Sequence, residues 1–284
     1  MADHRLRVCA LYPDLMNIYA DRGNLLLLER RCAWRGIGFE LTGSGLGDEL
    51  DPDAHDLFYL GGGQDRDQAL CARDLATVKR DALHAAAERG GLLFGVCGGF
   101  QLLGHGYAFG DERLPGLGLV DLETVREDGP RLIGNVAIEV DLDGRRVLAG
   151  FENHGGRTRL GAATPLGRVL KGHGNDGASG LEGVRGGRHG TVLGTYLGAG
   201  TTPLGRVLRG NGNNGGDGTE GVRGGAHGTV IGTYMHGPLL PKNTAFADWL
   251  AATALGVAPG DLPPLDDTLE AAAHAEAERA AGVV

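Results

Sequence analysis

The sequence has little positive charge. Its 27 lysine and arginine residues stand against 36 aspartate and glutamate residues, so the formal net charge is −9. Nucleic-acid binding needs a basic face that neutralises phosphates, and this balance argues against it. No apolar run approaches the ~20 residues of a membrane-spanning helix, and the start, MADHRLRV, lacks the apolar core of a signal peptide. We therefore expect neither nucleic acid nor membrane insertion.

Cysteine is scarce too. The four cysteines, Cys9, Cys32, Cys71 and Cys97, form no C-x-x-C pair and show no zinc-finger spacing. We expect them to be free thiols in a reducing cytoplasm, and we predict no metal site. The chain also lacks the G-x-x-x-x-G-K-[ST] loop that cradles nucleotide phosphates, so ATP is not expected to bind here.

Strand-like and helix-like segments alternate over the first hundred residues. Apolar runs lie at 6–11, 37–41, 56–60 and 92–96, and helical spacing covers 23–34 and 67–89. This alternation predicts an α/β, flavodoxin-like fold, with a mostly parallel sheet and helices on both faces. Further along, Asp143-Gly144 predicts a tight β-hairpin. Helices are also predicted for 243–255 and after residue 266.

Glycine is abundant, with 53 residues, and part of the excess lies in a repeat. Residues 164–196 recur 38 positions later as 202–234, with 25 identities in 33 positions. A solenoid needs at least ~3 copies, so two indicate a duplication inside one domain. We predict a single domain over 1–258, in which 164–201 is a duplicated insert that adds a hairpin or loop. Residues 259–284 are predicted to form a helical tail.

The sharpest chemical signal is GVCGGFQLLG at residues 95–104. In it, Cys97 lies where a strand runs into glycines and a helix begins at once. This is the pattern of a nucleophile elbow, in which small neighbours allow a sharp turn and the helix N-terminus favours a thiolate. Cys97 is therefore the predicted nucleophile. The other three cysteines are expected to be buried structural residues.

A thiol nucleophile needs an acid–base partner. Among the 10 histidines, His154 and His236 are the strongest candidates. His236 follows the apolar run 229–234 and should emerge at a strand end, where open α/β sheets hold their active sites. The matching position in the first copy of the repeat is Gly198, so only the second copy can supply this base. We expect that copy's last strand to lie in the sheet.

Several motifs resemble those of class I glutamine amidotransferases. The elbow, the loop GGGQD at 61–65 and the late strand that ends in His236 carry this resemblance. Longer motifs are similar to the cobyric-acid-synthase-like branch, and within it to GatD-type glutaminase subunits of lipid II isoglutaminyl synthases. These motifs lie at 12–24, 151–156 and 234–243. The resemblance covers about residues 5–255.

The resemblance implies that the chain hydrolyses L-glutamine to glutamate and ammonia. Cys97 would form a γ-glutamyl thioester, and His236 would serve as base and acid. The oxyanion would lie near the N–H of Gly98 and a second N–H from the loop containing Gly62 and Gly63.

Two further residues are implied to contact glutamine. Arg131 could pair with its α-carboxylate, although an exposed salt-bridge residue remains the alternative. Gln101 could touch substrate or simply pack behind the elbow.

One position departs from the common pattern. Pro238 stands where many class I enzymes carry the glutamate of a Cys-His-Glu triad. His236 must then be oriented by another group, such as a backbone carbonyl or Glu152, or it works in a dyad. The cobyric-acid-like branch shares this feature, which makes a slow, partner-dependent glutaminase plausible.

The resemblance also implies a heterodimer with a Mur-ligase-like, MurT-type partner. That partner would hold ATP and Mg²⁺ and amidate the D-glutamate α-carboxyl of the lipid II stem peptide to D-isoglutamine, while this chain holds no cofactor. Two alternatives stay open. One is a cobyric-acid-type amidotransferase, and the other is a non-catalytic interaction subunit whose site the insert has disturbed.

Overall fold

The computed structural model describes residues 4–18, 21–109, 111–186, 201–206, 219–224 and 230–283. The α-helices within them are α1 (Arg22–Trp34), α2 (Asp65–Asp74), α3 (Arg80–Glu88), α4 (Gly98–Leu103), α5 (Leu239–Lys242), α6 (Thr244–Leu255) and α7 (Thr268–Ala281). A π-helical turn, Leu75–Lys79, joins α2 to α3, so the predicted helix at 67–89 is one almost continuous element. None of the helices in this part of the chain is both long and apolar enough to cross a bilayer.

The strands are β1 (Arg5–Leu11), β2 (Gly38–Ser44), β3 (Leu57–Leu60), β4 (Leu92–Val96), β5 (Gly106–Phe109), β6 (Glu112–Pro115), β7 (Leu122–Arg126), β8 (Leu132–Asp141), β9 (Arg145–His154), β10 (Gly156–Leu160), β11 (Gly167–Lys171), β12 (Leu181–Glu182), β13 (Val184–Arg185), β14 (Thr201–Arg206), β15 (Thr219–Gly224) and β16 (Val230–Thr233).

The main sheet has six strands in the order β13-β16-β4-β3-β1-β2. All neighbours pair in parallel except β13, which runs antiparallel at the edge. Alternate residues of β1 belong to two different cores. Leu6 and Val8 pack in the core that includes α1 and α6, whereas Cys9 and Leu11 pack in the core on the side of α2 and α3. The predicted α/β fold, with helices on both faces of a mostly parallel sheet, is confirmed.

Two four-stranded sheets extend the domain, in the orders β10-β7-β5-β6 and β12-β11-β8-β9. The predicted hairpin is β8–β9, and Asp143 and Gly144 make its turn with φ values of 64° and 110°. Helix α7 packs against this hairpin, and Asn135 donates a 2.7 Å hydrogen bond to the carbonyl of Ala280. The helical tail is thus present, while the domain boundary at 258 stays a prediction.

The two copies of the repeat contribute different parts of the fold. In the first copy β11 pairs with β12 (Gly167 opposite Glu182), and in the second β14 pairs with β15 (Gly205 opposite Glu220). The register is therefore the same, 38 residues apart. The first hairpin joins β8, while the second forms a separate two-stranded sheet.

The end of the second copy lies in the main sheet, where β16 pairs with β4 on one side and with β13 of the first copy on the other. The matching segment of the first copy, for which the sequence predicts a displaced strand, falls in 187–200, outside the described residues. Residues 164–186 are therefore integrated into the larger sheets. The front of the second copy forms the separate hairpin β14–β15, while the predicted displacement of 164–201 as an insert also involves 187–200, outside the described residues, and stays a prediction.

Candidate active site

Cys97 occupies a strained turn between β4 and α4. Its φ of 53° and ψ of −110° lie where non-glycine residues are rarely found, as expected for a nucleophile elbow. The backbone N–H of Cys97 donates a 2.8 Å hydrogen bond to the carbonyl of Thr233, at the end of β16. A Cβ atom on Gly99 would lie 2.0 Å from the carbonyl oxygen of Leu60, so only glycine fits there. The elbow geometry predicted from the sequence is present.

His236 reaches the elbow from the segment after β16. Its backbone is fixed by reciprocal hydrogen bonds with Phe151, 2.7 Å from the His236 N–H and 3.2 Å from the Phe151 N–H. The side chain is buried, and its imidazole lies beside the side chain of Cys97, close enough to interact with it electrostatically. Burial acts to lower the pKa of His236, but the charge of Cys97 and the hydrogen bonds with Asp21 and Cys97 outweigh it and raise the pKa to about 10. The arrangement therefore favours a protonated imidazole at His236.

Asp21 is the site residue that sequence reasoning missed. It is fully buried, and its Oδ1 lies 3.5 Å from Nδ1 of His236. Its other oxygen, Oδ2, accepts a 2.8 Å hydrogen bond from the N–H of Gly62. The signal available in the sequence was the position of Asp21 inside the motif at 12–24, directly before α1.

Glu152 does not orient His236. Its carboxylate accepts hydrogen bonds from the backbone N–H groups of His173, at 2.6 Å, and Gly174, at 2.9 Å. Oε2 of Glu152 also lies 3.8 Å from Nε2 of the other candidate base, His154. The suggestion that Glu152 replaces the missing triad glutamate is therefore wrong, because its partners belong to a neighbouring cluster.

His154 is buried in that cluster. Its ring stacks on Tyr234 with centroids 3.6 Å apart and 4° between the planes, and its Nδ1 lies 2.8 Å from the carbonyl of Gly156. Burial lowers the pKa of His154. This ring stacks on the chain two residues before His236, so of the two candidate histidines His236 is the one that lies beside Cys97.

The glycine loop lies opposite the elbow, as the sequence predicts. A Cβ on Gly62 would lie 3.2 Å from Cβ of Cys97 and 3.2 Å from Oδ2 of Asp21, and a Cβ on Gly98 would lie 3.3 Å from the backbone nitrogen of Gly63. The three glycines therefore surround Cys97 closely. Because the N–H of Gly62 is already bound by Asp21, Gly63 is the loop residue whose N–H stands opposite Gly98.

Gln101 is held in a buried network behind the elbow. Its Oε1 accepts a 2.7 Å hydrogen bond from Nε2 of Gln68, and its Nε2 donates a 3.1 Å hydrogen bond to the hydroxyl of Tyr234. Both ends of the amide are thus engaged by protein groups. These contacts favour packing behind the elbow over direct contact with substrate.

Arg131 lies at the exposed start of the β8–β9 hairpin. Its Nε donates to Oδ1 of Asn153 and its Nη2 donates to the carbonyl of Asn153, both at 2.8 Å. Asn153 is two residues from Phe151, which bridges to His236. The guanidinium is therefore anchored at the strand end that adjoins the site, and its contact with substrate stays a prediction.

The other three cysteines have a different environment. Cys9, Cys32 and Cys71 are buried in the two cores, and burial raises their pKa values to about 11, 11 and 12. Such thiols are poor nucleophiles at neutral pH. Across the described part of the chain, no group of three or more histidine, cysteine or acidic side chains could hold a metal ion.

Comparisons with known proteins bear on this site. Residues 7–200 match the family model of the CobB/CobQ-like glutamine amidotransferase domain. The chain is 34% identical over 252 residues to the GatD subunit of lipid II isoglutaminyl synthase (glutamine-hydrolysing) from Staphylococcus aureus strain N315, with 88% of this chain and 85% of that protein covered. The corresponding subunit of Streptococcus pneumoniae is 35% identical over 196 residues, which are 68% of this chain and 74% of that protein.

Among solved structures, PurLQS from Thermotoga maritima aligns with a TM-score of 0.50 and 18% identity, over 88% of this chain and 95% of that one. At this identity the likeness shows the fold alone.

Proposed function

This chain belongs to the CobB/CobQ-like glutamine amidotransferase family, and we propose that it is the glutaminase subunit of a lipid II isoglutaminyl synthase. The observation that carries the proposal is the contact of His236 with both Cys97 and Asp21 beneath a glycine loop. The similarity to two GatD subunits over most of their length supports the choice of substrate and assembly.

In the proposed reaction, Cys97 gives its proton to His236, and the thiolate sulfur attacks the γ-carboxamide carbon of L-glutamine. The oxyanion accepts hydrogen bonds from the N–H groups of Gly98 and Gly63. Loss of one such donor typically costs about 2.7–4 kcal/mol of transition-state stabilisation. His236 then gives the proton to the amino group of the tetrahedral intermediate, the C–N bond breaks, and ammonia departs, which leaves a γ-glutamyl thioester on Cys97.

Hydrolysis of the thioester completes the cycle. His236 takes a proton from water, the hydroxide adds to the thioester carbon, and collapse releases glutamate and the Cys97 sulfur, which recovers its proton. Asp21 holds the imidazole through Nδ1 and favours its protonated form in both half-reactions. Asp21 thus takes the place of the triad glutamate that Pro238 cannot supply.

Substrate would be oriented by Arg131. Its guanidinium is fixed to Asn153 through Nε and Nη2 and lies at the strand end next to the site. A bidentate pair with the α-carboxylate of glutamine suits the planar geometry of arginine. Gln101 would act indirectly, by supporting Tyr234 behind the elbow.

Ammonia would pass to a Mur-ligase-like, MurT-type subunit in a cytoplasmic heterodimer. That subunit would use ATP and Mg²⁺ to activate the D-glutamate α-carboxyl of the lipid II stem peptide, which ammonia converts to D-isoglutamine. This chain would then need no cofactor of its own.

The test is a glutaminase assay of the chain alone and with its co-purified ligase partner, with glutamate release and D-isoglutamine formation measured. C97A should abolish both products in the complex. A complex that makes D-isoglutamine from free ammonium but not from glutamine would contradict the assignment of this chain as the ammonia source.

Labelling of Cys97 with diazo-oxo-norleucine, a glutamine-mimicking electrophile, distinguishes the proposed glutaminase from a non-catalytic subunit. An intact site labels at Cys97, whereas a distorted elbow does not. A cobyric-acid-type activity would instead appear as amidation of a corrinoid carboxylate, with the lipid II stem peptide left unmodified.

A further inference from the structure

Glu182 is a buried acid next to the strand that leads to His236. Its side chain is fully enclosed, and its Oε1 accepts a 2.8 Å hydrogen bond from the hydroxyl of Thr233 and a 2.7 Å hydrogen bond from the N–H of Tyr234. Within the described residues, Oε2 of Glu182 has no hydrogen-bond partner. Burial, together with the charge of Glu152, raises the pKa of this carboxyl to about 7, against the opposing effect of the surrounding hydrogen-bond donors. A buried acid is costly to keep, which calls for a reason beyond packing.

The hydrogen bonds continue from Glu182 towards the base. The hydroxyl of Thr233 donates to Glu182 and at the same time accepts a 3.0 Å hydrogen bond from the N–H of Met235. Met235 directly precedes His236, whose own N–H is bound by Phe151. One carboxylate thus fixes three successive residues of the chain that ends in the catalytic imidazole.

The same strand end also holds the nucleophile, because the carbonyl of Thr233 accepts the hydrogen bond of the Cys97 N–H at 2.8 Å. Glu182 therefore acts on the segment that connects nucleophile and base. It touches neither the sulfur nor the imidazole, so its effect has to pass through Thr233 and Tyr234.

The contact crosses the duplication. Glu182 belongs to the first copy of the repeat, and Thr233 and Tyr234 belong to the second. The sequence offers an identical residue at the matching position, Glu220, whose backbone lies in the separate sheet β14–β15. The glutamate of the first copy, Glu182, is the one that the described residues show hydrogen-bonded to the strand before His236.

We propose that Glu182 is a positioning residue for His236, so that the active site is assembled from both copies of the repeat. This inference rests on the proposed glutaminase function. In this arrangement, Glu182 from the first copy fixes the end of β16, and the segment that follows β16 of the second copy carries the base, His236.

The experiment compares E182A with its duplicate-position control, E220A, in the full chain with its ligase partner. E182A should lower kcat for glutamine hydrolysis by on the order of 10²-fold, since a small misplacement of a catalytic group has that effect. KM should change little, because the proposed carboxylate contact, Arg131, lies on a different hairpin. E220A should match the parent in both constants.

A pH profile separates positioning from loss of stability. The pKa of His236 is raised by its contacts with Cys97 and Asp21, so a displaced ring should lose its proton at lower pH. The alkaline limb of kcat/KM should therefore move towards neutral pH in E182A. A variant that is merely less stable would lose activity equally at all pH values.

Conservative variants cover the case in which E182A does not fold. E182Q keeps an oxygen that accepts both hydrogen bonds and should retain more activity than E182A. T233V removes the hydroxyl that donates to Glu182 while keeping the shape of the side chain, and T233S should restore that hydrogen bond. T195V is the matched control at the duplicate position.

If the parent hydrolyses no glutamine, the proposed function fails. If the parent is active and E182A and T233V match E220A and T195V, the positioning role is overturned.

Discussion

His236 and Asp21 meet across 215 residues of sequence, with Nδ1 of the imidazole 3.5 Å from Oδ1 of the carboxylate. In the proposed mechanism this contact takes the place of the acid that class I enzymes commonly carry two residues after the histidine. Asp21 can do so because it precedes α1 at the carboxyl end of the sheet, where the glycine loop also lies.

Replacement of Asp21 tests its role most directly. D21N keeps the size of the side chain but removes the charge that stabilises the imidazolium, and we expect kcat to fall by about 10²–10⁴-fold, as for orienting acids in other triads. Steady-state glutamate release measures this. D14N changes an exposed aspartate of the same motif and should leave kcat unaltered. Equal activity of both variants would show that Asp21 does not orient the base.

The alkaline side of the pH profile should follow His236. Its pKa is raised to about 10, so the imidazolium that in the proposed mechanism protonates the leaving amino group is present below that pH and is lost as pH rises through it. We expect kcat/KM to fall on that limb. In D21N the limb should move to lower pH, because one of the groups that raise the pKa is gone. An alkaline limb that stays fixed in D21N contradicts the assignment.

A methyl group at position 62 should disturb the site without touching the core. A Cβ on Gly62 would lie 2.8 Å from Cγ2 of Ile18 and 3.2 Å from both Asp21 Oδ2 and Cys97 Cβ. G62A should therefore lower kcat by about 10- to 100-fold. G260A adds a methyl where nothing lies within 4 Å and serves as the control. Melting temperatures of both variants show whether the loss in G62A is local.

Thiol labelling should be confined to one cysteine. Cys97 is the cysteine held beside an imidazole, while burial raises the pKa values of Cys9, Cys32 and Cys71. A glutamine-mimicking electrophile should add once, at Cys97, as read by peptide mass spectrometry. C71S should label like the parent and C97S should not label. Modification of a second site in the folded protein would contradict this ranking.

One copy of the repeat can be deleted without removing any strand of the larger sheets. Deletion of 187–224 joins the integrated front of the first copy to the rear of the second and keeps β11, β12, β13 and β16. We expect this variant to fold and to keep its kcat. Deletion of 164–201 instead requires the hairpin β14–β15 to dock on β8. Loss of folding in the 187–224 deletion alone would mean that the second hairpin supports the domain.

Much of the fold was predictable because strands buried on both faces are continuously apolar. The runs that become β1, β3 and β4 stand out for this reason, and glycines flanking Cys97 indicate a turn that larger residues cannot form. The closeness of Cys97 and His236 could be predicted because both lie just after such strands, Cys97 directly after β4 and His236 three residues after β16.

The remaining site residues depend on contacts that local patterns do not encode. Asp21 reads as an ordinary residue before a helix, and only the folded sheet brings it to His236. Glu182 and Glu220 are equivalent in sequence, so the repeat alone cannot tell which one supports the active strand. The packing role of Gln101 depends on its hydrogen bonds with Gln68 and Tyr234, which are far from it in the sequence.

The hydrogen bond from the Cys97 amide to the Thr233 carbonyl has a consequence for activation. Cys97 directly follows β4, His236 lies three residues after β16, and these two strands are paired in the sheet. Separating the sulfur from the imidazole would therefore require breaking the pairing of β4 with β16. Under the proposed function, a ligase partner that activates this chain would therefore act on glutamine entry and ammonia release, and not on the alignment of Cys97 with His236.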